Sequence, residues 1–257
     1  MNRSKILVAI PCYNCEKQIG HVLGGFDKAL LERVDRVLVI DNGSGDNTIG
    51  AAKAAAKKIG SPKIEVWKNK ENVNLGGTHK VALLAGERLG MDYVAILHGD
   101  NQAKTPELNY LIDAAVANPE AGAILGTRFM KGSKLVGYDW KRIWGNRAIN
   151  VFYSVVALRS SKDLGSGLNL FRLQDLADRR YLGFADTITF NIDLLLDYFK
   201  KKTKLVNIPI TWTEEDQVSN ARNLTVGKTA IRKVLKWRFN KAEYKPMPAE
   251  HYQSSPV

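Results

Sequence analysis

Cysteine is scarce in this chain, with two in 257 residues, Cys12 and Cys15. That excludes a secreted domain stapled by disulfides and fits a reducing compartment. The pair spells C-x-x-C, but no second cysteine pair completes a zinc site and Pro11 precedes Cys12, so redox and zinc readings are set aside. Long apolar runs are missing too. The N-terminal run ends at Pro11, far short of a signal-peptide core. The longest run, "AINVFYSVVAL" at 148–158, falls well under the roughly 20 residues needed to span a bilayer. The expectation is a cytoplasmic protein, soluble or peripheral on the inner face of a membrane. No repeat recurs at a fixed period and no G-x-G-x-x-G follows a strand. The "GKT" at 227–229 lacks the earlier glycine of a P-loop, because Arg222 stands there. A nicotinamide enzyme and an NTPase therefore have no support.

Acidic residues are outnumbered, 26 against 38 Lys and Arg, which leaves a formal charge of +12. Such a surplus favours polyanions: nucleic acid, anionic lipid headgroups or phosphorylated substrates. The aromatic interleaving of a base-stacking surface is sparse, so nucleic acid is discounted. What is present is ordinary for a globular protein, 45% hydrophobic and 25% charged, in a length that suits one large domain.

Strand-like and helix-like stretches alternate. "KILVAIP" (5–11) is a continuous apolar run that suits a fully buried parallel strand, followed by a helical stretch over 15–30. "DRVLVIDNGSGDNT" (35–48) repeats the pattern, with a carboxylate at the strand end, a turn, and an Ala-rich helix over 49–59. Strands are expected at 63–69, 92–100, 121–129, 164–173 and 203–212, and helices at 77–90, 105–118, 141–158 and 187–200. The alternation predicts an α/β fold with a mostly parallel sheet, and the polar groups gathered after successive strands predict a ligand at its carboxyl edge. No linker is visible, so both halves are expected to share one sheet.

Two motifs carry chemistry on their own. In "DNGSGDNT" Asp41 ends a strand, Gly43 and Gly45 permit sharp backbone, and Asp46 or Asn47 can cap the next helix. A carboxylate there can accept from a base N–H or a ribose hydroxyl, or belong to an ordinary turn. "VAILHGDNQ" (94–102) ends a buried strand in polar groups able to hold a metal. In an extended strand His98, Asp100 and Gln102 share a face.

Taken in order, "PCYN" (11–14), "DNGSGDNT", "ENVNLGG" (71–77), "HGDNQ" (98–102), "GTRF" (126–129), "RIWGNRAIN" (142–150), "DLGSGLN" (163–169) and "IPITW" (208–212) resemble the family 2 glycosyltransferases of the GT-A fold. Within that family they look like the dolichyl- and polyprenyl-phosphate sugar synthases. The resemblance implies that Pro11, Tyr13 and Asn14 line a base pocket. It implies that Asp41 holds the base or ribose with Asn42 and Ser44 from the same turn, and that Asn72 and Gly76 lie near the nucleotide. Cys15 stands where the family has glutamate, with Glu16 beside it. The family's D-x-D-x-Q becomes His98-Gly99-Asp100-Asn101-Gln102, so Asp100, Gln102 and His98 are the implied metal set for Mg2+ or Mn2+ against the donor diphosphate. His98 can ligate, hydrogen-bond a ribose or phosphate, or be satisfied structurally.

Arg128, after the next strand, is a natural phosphate clamp because guanidinium presents a bidentate fork, or else belongs to a surface ion pair; the resemblance further implies Arg142 and Asn146 facing the acceptor phosphate, and Ser166, an expected acceptor contact, in the glycine-rich segment near the sugar. Asn146 replaces a serine of the family and Asn169 an arginine. Asp193 occupies the acidic position on the helix over 187–200, as a base, a sugar contact or a helix-surface carboxylate. The implied reaction is an inverting, metal-dependent transfer from a UDP- or GDP-linked sugar, with a polyprenyl phosphate as acceptor. A saccharide or protein hydroxyl is the alternative acceptor, and a catalytically weak polyanion-binding protein the alternative class. The expected domains are the catalytic unit over 1–225, a basic amphipathic helix over 226–241 that suits an anionic membrane surface or else packs on the domain, and a flexible tail over 242–257.

Overall fold

The structure, a computed structural model, describes residues 3–214, 223–239, 244–245 and 247–257. The chain runs β1 (Ile6–Cys12), α1 (Ile19–Gly24), α2 (Lys28–Arg33), β2 (Arg36–Asp41), α3 (Thr48–Ile59), β3 (Ile64–Asn69), α4 (Asn74–Arg88) and β4 (Tyr93–Leu97). It continues through α5 (Leu108–Ala117), β5 (Ala123–Thr127), β6 (Lys134–Val136), α6 (Trp140–Ala157), β7 (Leu168–Arg172) and α7 (Phe190–Lys201). The last elements are β8 (Leu205–Pro209), β9 (Thr211–Thr213), α8 (Asn223–Arg238) and β10 (Ser254–Pro256).

Eight strands form one sheet in the order β10-β3-β2-β1-β4-β7-β5-β8, so both halves of the chain share it as expected. β1 runs parallel to β2 and β4, β2 to β3, and β5 to β8. β7 enters antiparallel between β4 and β5, and β10 lies antiparallel on the β3 edge. β1 is apolar throughout because both its faces are covered. Ile6, Val8 and Ile10 pack on one side with Val22, Leu23 and Leu111 of α1 and α5; Leu7 and Ala9 pack on the other with Val81 of α4 and Leu194 of α7. A third apolar layer joins Tyr153 and Ala157 of α6, Leu196 and Phe199 of α7, and Ala230 and Val234 of α8.

Several expected boundaries shift. The helix over 15–30 is two short helices, because Asp27 leaves helical geometry and its carboxylate caps α2 by accepting from Leu30 N at 2.7 Å. The strand over 203–212 divides, and β9 pairs with β6 in a separate two-stranded sheet. The tail, expected to be flexible, is tied down over 249–257: β10 pairs with β3 and Tyr252 is buried. The expected basic helix corresponds to α8, with 240 and 241 outside the described residues; residues 242, 243 and 246 of the tail also lie outside them.

Candidate active site

The parallel strands β1, β2 and β4 end at one edge, and their exits are cross-linked. Asn42 N donates to Cys12 O at 2.9 Å, Gly99 N to Pro11 O at 3.0 Å, and His98 N to Gly167 O at 2.9 Å. Asp41 is buried, and its carboxylate accepts from Gly43 N at 3.1 Å and Ser44 N at 3.3 Å, closing the turn after β2. Asn14 takes a left-handed φ of 55°, which Asn tolerates. Its N–H donates to Ser44 Oγ at 2.9 Å and its Oδ1 accepts from Gly45 N at 2.8 Å, so the turns after β1 and β2 are stapled together. Glu16 extends the staple through Asn47 N and does not reach toward a ligand. Behind it Asn42 Nδ2 donates to Asn72 Oδ1 at 3.0 Å, and Asn42 Oδ1 accepts from Asn69 Nδ2 and Val73 N.

Pro11, Tyr13, Asn14, Asp41, Asn42, Ser44 and Asn72 are thus gathered as expected, but most of their polar atoms shape the loops. Tyr13 alone presents a ring, 49% exposed. Gly76 differs from expectation: it lies in the first turn of α4, where an added Cβ would come within 2.6 Å of the Ala185 and Thr187 carbonyl oxygens, so its role is close packing. Cys12 and Cys15 are free and buried, and the hydrogen bond from Cys15 together with burial pushes the Cys12 thiol well up. Cys12 is therefore held as a thiol, which argues against a redox or metal role for the C-x-x-C.

β4 stops at Leu97, and Asn101 takes a φ of 59°, so residues 98, 100 and 102 do not share an extended face as the sequence suggested. They line a turn. Asp100 Oδ1 accepts from Gln102 N at 3.2 Å; Gln102 is buried, and its Nε2 has no partner among the described residues. His98 Nε2 lies 3.1 Å from Nε2 of His79, a residue of α4, and an added Cβ on Gly167 would sit 2.7 Å from His98 Nδ1. One of the two facing nitrogens carries the proton and the other accepts it. Burial drives both imidazoles toward the neutral form. His79 falls well below the ordinary value, helped by His98, while for His98 Asp100 pulls upward and Arg128 downward.

The second cluster is ionic. Arg128 forms a two-pronged pair with Asp163, Nε to Oδ2 and Nη2 to Oδ1 both at 2.7 Å; Nη2 also donates to Gly165 O. Its guanidinium lies 4.9 Å from the Trp212 ring centroid, and the nearby Asp163 carboxylate outweighs burial and raises its pKa. Arg142 pairs with Glu214 and stacks on Tyr138 at 4.6 Å. Asn146 donates to Arg142 O at 2.8 Å and to Tyr138 Oη at 3.3 Å. Ser166 is buried and donates to Gly126 O at 2.6 Å, which shapes the glycine-rich loop. Asp193 is not a helix-surface carboxylate: it is 1% exposed, with Lys233 Nζ of α8 at 2.6 Å and Ala185 N at 3.1 Å. Both of its oxygens are engaged, which holds it in a buried ion pair with Lys233.

The sequence profile of glycosyl transferase family 2 matches residues 7–179. The chain belongs to this family. It is a glycosyltransferase with the GT-A fold. Polyprenol monophosphomannose synthase of Mycolicibacterium smegmatis is 24% identical over 235 residues, covering 91% of this chain and 86% of that protein. Undecaprenyl-phosphate 4-deoxy-4-formamido-L-arabinose transferase of Sodalis glossinidius is 25% identical over 219 residues, or 84% of this chain, which spans 62% of that protein's length. Among solved structures, glucosyl-3-phosphoglycerate synthase from Mycobacterium tuberculosis in complex with Mn2+, UDP-glucose and phosphoglyceric acid aligns with a TM-score of 0.67 at 16% identity, covering 93% of this chain and 81% of that one.

The donor set of this glycosyltransferase suits a cation only in a limited way. No three His, Cys, Asp or Glu side chains converge to hold a metal among the described residues. His98 Nε2 faces His79, and Asp100 is the one carboxylate of the expected set at this turn, beside Gln102. One carboxylate fits a hard cation whose remaining ligands are phosphate oxygens and water. Sequence reasoning missed His79, Asp163, Glu214 and Lys233, the partners that define each site side chain. An arginine expected at a strand end called for a carboxylate partner, and Asp163 stood in the quoted "DLGSGLN".

Proposed function

We propose that this glycosyltransferase moves a sugar from a UDP- or GDP-linked donor to a polyprenyl phosphate, with inversion, at the cytoplasmic face of a membrane. The observation that carries this reading is the occupancy of the carboxylates. Among the described residues Asp163 is held by Arg128, Glu214 by Arg142 and Asp193 by Lys233, which leaves Asp100 at the donor edge and none of these three carboxylates unpaired to deprotonate a hydroxyl. A phosphate acceptor needs no base, because it is already an anionic nucleophile. The names of the two relatives, a polyprenol monophosphomannose synthase and an undecaprenyl-phosphate sugar transferase, support the same acceptor class.

In this reading the Tyr13 ring stacks on the base and the stapled turns after β1 and β2 fix the ribose. Asp100 would hold a divalent cation, Mg2+ or Mn2+, which when bound would supply positive charge against the leaving diphosphate. Arg128, fixed by Asp163, faces the donor phosphates, and Arg142 orients the acceptor. An acceptor phosphate oxygen attacks the anomeric carbon from the side opposite the diphosphate. The bond to the diphosphate oxygen breaks with its electron pair, and the configuration inverts.

Calorimetric titration of UDP and GDP, with and without Mn2+, tests the donor half. One nucleotide should bind in the presence of metal, at least tenfold more weakly in Asp100→Ala. A radiolabelled sugar should then pass to a polyprenyl phosphate. If neither nucleotide binds, or if transfer goes only to a hydroxyl acceptor and fails in Asp193→Asn, the reading is wrong.

A further inference from the structure

One face of α6 is left bare by the fold. Trp140, Trp144, Val151, Val155 and Leu158 at its end are between 63% and 73% exposed. At 3.6 residues per turn they fall within an arc of about 60°, along a helix of 18 residues and about 27 Å. The opposite side is fully used: Tyr153 and Ala157 are buried against Ala230 and Val234 of α8. The sequence had pointed to α8 as the membrane helix, with its Trp at the interface. Instead Val234 is buried and Trp237 packs on the core, so α8 presents mainly its charged side.

The two helices together form an outer layer without an opposing charge. Neither α6 nor α8 contains an Asp or Glu. Exposed Lys141, Arg147 and Arg159 flank the stripe, and Lys228, Arg232 and Lys236 lie exposed on α8 beside Phe239, which is 67% exposed. An apolar stripe of this extent on a monomer marks an interaction surface. Its basic surround opposes a second copy meeting it face to face across a two-fold axis, and favours an anionic partner.

We propose that the exposed face of α6 docks on an anionic lipid bilayer. The stripe with its two tryptophans seats at the boundary of headgroups and acyl chains, and Lys141, Arg147 and Arg159 beside it lie over the headgroups. Arg142 and Asn146 leave α6 on the side turned toward Tyr138 and Glu214, so one helix carries the lipid contact on one face and the expected acceptor phosphate contacts on the other. The proposal takes its purpose from the lipid-phosphate reading above, and its geometry from α6 alone.

The test is sedimentation with large unilamellar vesicles of phosphatidylcholine, with and without one quarter phosphatidylglycerol, using the full chain and the triple variant Trp140→Ser/Trp144→Ser/Val155→Ser. The wild type should partition onto the anionic vesicles with a blue shift in tryptophan emission. The triple variant should bind at least tenfold more weakly, and Lys141→Glu/Arg147→Glu should remove the preference for phosphatidylglycerol. Both variants should keep wild-type melting temperature and turnover of a short, water-soluble isoprenyl phosphate. A wild type that stays in the supernatant, a triple variant that binds as well as wild type, or a wild-type dimer that the triple variant dissociates would each overturn the proposal. Vesicle binding without transfer to any isoprenyl phosphate would leave docking standing and remove the acceptor reading instead.

Discussion

Around the ends of β1 and β2 the loops are held by hydrogen bonds and not by ion pairs, with Asn14 bridging to Ser44 and Gly45, Asn42 bridging Asn69, Asn72 and Val73, and Asp41 accepting from Gly43 N and Ser44 N. Around β5, α6 and α7 the corresponding work falls to ion pairs: Arg128 with Asp163, Arg142 with Glu214, Lys233 with Asp193. The contrast matters because the two kinds of contact fail differently. A neutral hydrogen bond contributes about 1 kcal/mol net, and its loss is shared among neighbours. A buried ion pair adds little as a pair, yet removing one member strands a charge. Single substitutions should therefore harm stability most on the acceptor side, and nucleotide affinity most on the donor side.

Asp163→Ala offers the widest separation. It leaves a guanidinium that is 13% exposed without its carboxylate, in a layer closed by Trp212 and Phe129. Urea denaturation should register a loss of about 3–5 kcal/mol, and adding Arg128→Met should return much of it. A loss below about 1 kcal/mol would mean that water reaches Arg128 and that the contrast is one of appearance.

Asn42→Ala comes next. It removes the acceptor for Val73 N and Asn69 Nδ2 in a buried setting, at about 1–3 kcal/mol. Because the same amide positions the segment before α4, nucleotide affinity should fall as well, readable by calorimetry. Arg142→Lys should do the reverse. A lysine keeps the charge but loses the planar fork and the stacking on Tyr138. The acceptor KM should rise about tenfold, equivalent to about 1.4 kcal/mol, with nucleotide affinity unchanged. If the nucleotide weakens equally, the two sides are not separable.

The order of strands was legible because each buried strand is an apolar run bounded by polar turns, a signal confined to a few neighbouring residues. The same holds for the donor edge, where Asp41, Asn42 and Ser44 follow one strand directly. Partners were not legible. Arg128 and Asp163 are 35 residues apart and Arg142 and Glu214 are 72 apart, and nothing local marks such a pairing. β10 escaped notice for another reason: its Ser-Ser-Pro has little strand propensity, and it is fixed by the β3 edge and by Tyr252. That tyrosine donates to Asp186 at 2.9 Å and accepts from the buried ammonium of Lys80 at the same distance, a node that sequence spacing could not announce.

The smallest predicted effect tests the place where the two kinds of chemistry meet. His79 and His98 sit between the amide-held edge and Arg128, and burial holds His79 well below its ordinary value of 6.5. The unfolded chain takes up a proton below about 6.5 while the folded His79 does not, so the unfolded state binds more protons there. Stability is fully present above that value and falls as pH drops below it. Between pH 7 and pH 5.5 one such histidine contributes a loss of about 1 kcal/mol. The carboxylates held down by their partners, such as Asp46 and Asp178, add their losses only near and below their ordinary value of 3.8, outside this window. His79→Gln keeps a hydrogen-bonding group opposite His98 and cannot titrate, so its denaturation midpoint should vary less between pH 7 and pH 5.5 than that of the wild type. An unchanged slope would mean that His79 takes up its proton in the folded state, which requires water in the gap between α4 and the end of β4. Arg128 would then face a charged imidazole, and the ionic cluster would extend into the donor edge.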